Sequence, residues 1–105
     1  TKQIIMIVRI WKGRTKIEHL EDYTEFMKVR AIPDYKQTEG FVKLTFLKRT
    51  DKEFAYFNLI TFWKDLSVIE NFAGADLEKA KYYEEDKNYL IDFPEKVTHY
   101  EVFAE

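Results

Sequence analysis

The sequence predicts an α+β fold, a four-stranded antiparallel sheet with two helices on one of its faces. Three observations lead there. The apolar pattern switches period in the order strand, helix, strand, strand, helix, strand; both helical stretches are short; and two of the strands are apolar on both faces. With 105 residues, 46% apolar and 34% charged, the chain (1–105) is expected to form a single globular domain.

QIIMIVRIW, residues 3–11, is β-branched and hardly alternates, the pattern of a strand covered on both faces. Thr15 followed by Glu18 has the spacing of a capping box, so a helix is expected from Thr15. Ile17, Leu20, Thr24, Met27 and Ala31 recur at helical intervals, with Tyr23 and Phe26 widening the stripe. Pro33 disfavours helical geometry at Ile32, so PDYKQTEG is expected to turn, with room for one new helical turn begun by the proline, and Gly40 ends it. FVKLTFLKRT places Val42, Leu44 and Phe46 on one face, and EFAYFNLITFW is nearly continuous apolar; TDKE between them reads as a hairpin. Asp65 can cap a second helix bearing Leu66, Ile69, Phe72 and Ala73, with Gly74 just past its end. Residues 76–92 read mainly as an aromatic-studded loop with a helical turn or two, and VTHYEVF (97–103) alternates as the last strand.

This order is the ferredoxin-like βαββαβ arrangement. Two short helices cover one face of such a sheet, yet the first and third strands are apolar on both. Leaving that second face wet would exceed the few hundred Å² a monomer tolerates. A homodimer packed through the sheet faces is therefore expected.

Composition removes several classes of function. A net charge of −2, from 17 basic and 19 acidic residues, lacks the footprint of a nucleic-acid binder. No apolar stretch nears the roughly 20 residues that span a bilayer, and no signal-peptide pattern opens the chain, so no membrane partner and a cytoplasmic location are expected. Without cysteine there is no thiolate nucleophile and no cysteine-ligated metal. His99 and Glu101 are too few for a metal site, and His19 falls on the solvated side of the first helix, so no metal is expected.

Aromatic residues, nine Phe, seven Tyr and two Trp, supply most of the candidate site. Trp63 ends the third strand and either plugs the junction of sheet and helix or walls a pocket. His99, mid-strand, is the natural proton acceptor, with a hydrogen-bonded structural role as the alternative. Arg9 and Trp11 share a face of the first strand; a buried cation there either pairs with Glu101 or awaits an anionic ligand. Phe72 on the second helix, and Tyr82 and Tyr83 in the loop after it, complete a candidate substrate pocket, while the EED run at 84–86 reads as a solvated turn.

TFWKDLSVIENFAG at the third strand and second helix, together with VRIWKGRT, PDYKQTEGF, YYEED and DFPEKVTHYEVF, resembles the antibiotic biosynthesis monooxygenase family of dimeric α+β barrels over nearly the whole chain. The resemblance implies a dimer and a pocket between sheet and helices. It does not imply one reaction: members similar in fold include oxygenases that need no metal or flavin and enzymes that degrade haem. A cofactor-independent oxygenase acting on a small aromatic or polycyclic compound is expected here; a non-catalytic dimeric binding protein of the same fold is the alternative. Trp63 and His99 would then be the catalytic pair, and Arg9, Trp11, Phe72, Tyr82 and Tyr83 the substrate contacts. The family's haem-degrading branch carries a strand-1 Asn, a strand-3 Trp and a helix-2 His. Trp63 alone of these is matched here, which argues against haem degradation.

Overall fold

A computed structural model describes residues 6–105 of the protein. Strands β1 (Ile7–Lys16) and β3 (Phe54–Trp63) form the centre of one sheet, flanked by β2 (Phe41–Thr50) and β4 (Thr98–Glu101) in the order β2-β3-β1-β4, with every neighbouring pair antiparallel. The ferredoxin-like order is thus the observed one. Residues 3–5, the start of the predicted first strand, lie outside the described residues.

Alternation sets the two faces. Ala55, Phe57, Leu59, Thr61 and Trp63 on β3, and Ile7, Arg9, Trp11 and Thr15 on β1, are buried beneath the helices. The residues between them form the opposite face, where Val8 is in register with both Phe62 and Tyr100, and Ile10 with Ile60. Tyr100 there is exposed, and Val8, Ile10, Ile60 and Phe62 are half-buried.

The helical layer runs from a 3₁₀ turn (Ile17–His19) through α1 (Leu20–Phe26), a π-helical turn (Met27–Ala31) and α2 (Ile32–Lys36); Ile32, expected to leave helical geometry ahead of Pro33, keeps it (φ −56°, ψ −46°), so the helical path runs on through the proline instead of turning there. Its buried stripe is Tyr23, Met27, Ala31 and Tyr35. Each lies four residues from the next. Four residues overshoot a 3.6-residue α-turn, so in a regular helix this series would drift off the sheet; the wider π turn between Met27 and Ala31 brings it back into phase. Helix α3 (Leu66–Ala73) starts at Asp65, whose carboxylate accepts the Val68 N–H, and stops at Gly74, with φ of +88°.

Two local expectations are corrected. Thr15 does not cap a helix: it is fully buried in β1 opposite Ala55, and its hydroxyl donates to the Lys16 carbonyl oxygen. The strand continues because the Trp11 ring lies along it over Gly13, the one residue type that leaves room, so KGRT stays in the sheet. Val42 does not face the core, because a bulge between Phe41 and Lys43 turns it to solvent and leaves Phe41, Leu44 and Phe46 packed against the helices.

Candidate functional site

A small cavity lies between the β1 side of the sheet and the helical stripe, roofed by the irregular segment that follows α3. Arg9 and Trp11 reach it from β1, Tyr23, Met27, Ala31 and Tyr35 from the helices, and Lys81, Tyr82, Tyr83 and Asp86 from the roof. Its volume is about 20 Å³, roughly the room that one water molecule needs.

Arg9 is 3% exposed and holds the roof to the sheet. It donates to the carbonyl oxygens of Leu77 (2.6 Å) and Lys79 (2.9 Å), residues 68 and 70 positions away. The expected partner, Glu101, is instead exposed, in register with Ile7. Among the described residues no carboxylate pairs with Arg9, so its positive charge is met by neutral groups, the two carbonyl dipoles first among them. Burial pulls its pKa down, opposed by the neighbouring Tyr35, but a guanidinium remains charged at any ordinary pH.

His99 faces Arg9 across the β1–β4 ladder, with Nε2 3.2 Å from Nη1. A guanidinium offers only donors, so Nε2 must accept and the ring proton belongs on Nδ1. Burial first, then the Arg9 charge, holds the pKa of His99 below its usual value. This histidine does not line the cavity, and its Nε2 is engaged by Arg9. This contact with Arg9 is the hydrogen-bonded arrangement expected as the alternative to a proton acceptor.

Trp63 is fully buried among Tyr35, Phe41 and Phe72, and its indole N–H donates to Thr61 Oγ1 at 2.8 Å. It too is absent from the cavity wall, so its ring is core. Phe72 sits one layer back, stacked on Tyr35 at 4.3 Å and 5.9 Å from the Arg9 guanidinium. Trp11 lines the cavity as expected and donates its N–H to the Tyr82 hydroxyl at 3.2 Å, while Tyr82 donates to the Pro94 carbonyl oxygen. Tyr83 donates to Asp34 Oδ2 at 2.6 Å, and Lys81 bonds the same oxygen at 2.7 Å, tying the roof to α2.

Asp86 is the residue that sequence reasoning missed. It is 3% exposed rather than solvated, because the 3₁₀ turn Glu84–Asn88 folds it inward. Its Oδ1 accepts from the Tyr23 hydroxyl (3.0 Å) and its Oδ2 from the Tyr83 backbone N–H (2.6 Å). Burial outweighs these bonds and raises its pKa above the usual carboxylate range. The signal was the spacing of Tyr83 and Asp86, that of an N-cap and its third helical residue, which turns the carboxylate back onto the chain. Tyr35 also lines the cavity, and burial raises the pKa of its hydroxyl, opposed by Arg9.

No family model and no curated protein matches the chain. Among solved structures it superposes on a Bacillus cereus protein provisionally described as an antibiotic biosynthesis monooxygenase, with a TM-score of 0.59 over 98% of this chain and 97% of that one. This chain has the antibiotic biosynthesis monooxygenase fold. Sequence identity is 16%, so the likeness concerns the path of the backbone and leaves the chemistry to the residues described above.

Proposed function

We propose that the protein is a cofactor-independent oxygenase-like enzyme acting on a small aromatic compound with an acidic C–H or O–H group, bound between the sheet and the helices. The observation that carries this reading is Arg9, a buried cation without a carboxylate partner among the described residues, facing the same cavity as Asp86. In this scheme Asp86, its pKa raised by burial, accepts the substrate proton, and Arg9 stabilises the anion left behind. The anion gives its electrons to O₂; a carbon–oxygen bond forms, and loss of water from the peroxide yields a carbonyl. For a substrate CH₂ group the balance is R₂CH₂ + O₂ → R₂C=O + H₂O, with the substrate as the sole reductant. Trp11 and Tyr82 supply flat walls, and entry of the ring requires the roof at Lys81–Tyr83 to open, breaking its bonds to Asp34. We further propose a homodimer through the face bearing Val8, Ile10, Ile60, Phe62 and Tyr100.

The closed size of the cavity favours a second reading, in which every aromatic is core and no ligand enters. Tryptophan fluorescence in a Trp63→Phe variant, where Trp11 is the sole reporter, separates the two. Saturable quenching by polycyclic phenols with oxygen uptake, weakened about 10²-fold or more in Arg9→Met, supports the enzyme. Absence of quenching and uptake across the panel leaves the second reading.

A further inference from the structure

We propose that a second ligand site lies on the other side of the helical layer, between the π turn and the β2 edge, and that it takes an amphipathic carboxylate. This goes beyond the oxygenase reading and does not depend on it. The groove there has a volume of about 390 Å³, within the range of small-molecule sites (about 300–1,000 Å³) and far above the water-sized cavity behind it. Buried Phe57 and Leu59 form its floor, and Met27, Ile32, Leu44 and Phe46 its walls.

Its charge chooses the ligand. Lys28 and Lys48 line the groove and are exposed, no carboxylate lines it, and among the described residues neither lysine is in an ion pair. An apolar trough flanked by two uncompensated cations complements a molecule with an apolar body and one anionic end. The backbone supports the same reading. Met27 and Lys28 both belong to the π turn, an irregularity that recurs at functional sites, and Lys48 lies on the helix-facing side of β2 beyond Phe46, in register with Phe57. Met27 and Leu59 also line the cavity, so the two sites share these side chains.

Methyl NMR tests the proposal directly, because the chain has two methionines, Met6 and Met27. Decanoate is titrated against decanol, which shares the apolar body without the charge. The expected result is a saturable shift of the Met27 methyl with Met6 unmoved. Decanoate affinity should fall about fivefold in Lys28→Gln/Lys48→Gln, the size expected for two exposed ion pairs, and decanol affinity should not change. In the Trp63→Phe background, Trp11 fluorescence should stay constant, which sets this site apart from the cavity. Equal losses for both compounds, or no saturation, would overturn the proposal. So would a Met27 signal that moves with protein concentration alone, since a second copy would then fill the groove.

Discussion

Gly13→Ala probes how the wall of the cavity is built. A Cβ at this position would lie 2.6 Å from Trp11 Cζ2 and 2.9 Å from Cζ3, and closer still to Cη2. Carbon atoms need about 3.5–4.0 Å, so the ring must move. It has little freedom, being 7% exposed, edge-on to Tyr82 at 6.1 Å and bonded through its N–H to the Tyr82 hydroxyl. Overpacking costs about 1–3 kcal/mol, and loss of that hydrogen bond about 0.5–1.5 kcal/mol. A gain of about 0.4–1 kcal/mol from the stiffer unfolded chain offsets part of this. The net expectation is a loss of about 2–3 kcal/mol, or roughly 10–20 °C in Tm at this size. Urea unfolding at one fixed protein concentration measures it. Trp11→Phe removes the far ring atoms, so the cost of Gly13→Ala in that background should fall below about 1 kcal/mol. A cost under about 0.5 kcal/mol in the parent, or an equal cost in both backgrounds, would refute the account of Trp11 lying over Gly13.

The remaining predictions concern the core, the roof, the histidine and the open sheet face. Trp63→Phe should lose about 2–4 kcal/mol in urea unfolding, from the void and the missing bond to Thr61, without changing ligand quenching of Trp11. Burial pushes the pKa of Asp34 up, but its bonds to Lys81 and Tyr83 win and hold it low, so its stabilisation is present above the unfolded value near 3.9 and is lost as pH falls through the folded one. Hydrogen exchange at Lys81–Tyr83 should accelerate over that acid window, and Asp34→Asn should flatten the response. The His99 ring, its folded pKa depressed, should titrate below 6.5 with the neutral form protonated on Nδ1; a ¹⁵N titration midpoint above 6.5 would contradict the Arg9 contact. The protein should sediment as a dimer at micromolar concentration, and Ile60→Lys should yield a folded monomer.

What the sequence alone determined is what local periodicity encodes. The period-two burial of β3 from Ala55 to Trp63, the Asp65 cap, the Gly74 stop and the strand–helix order each depend on residues a few positions apart. From these the ferredoxin-like sheet follows. The site did not follow in the same way. Trp63 presents the same pattern whether it meets a pocket or a core, and the placement of Tyr35, Phe41 and Phe72 around it made it core. Arg9 announced a buried cation, but its partners are backbone carbonyls of Leu77 and Lys79, which any residue type supplies and no composition reveals. Asp86 in an acidic run looked solvated until the roof folded it onto Tyr23, 63 positions away. The β2 bulge and the π turn, each a shift of phase by about one residue, decided which side chains face the groove and the cavity. Such long-range pairings arise from how an irregular segment settles on a finished sheet, and only the tertiary structure can bring those groups together.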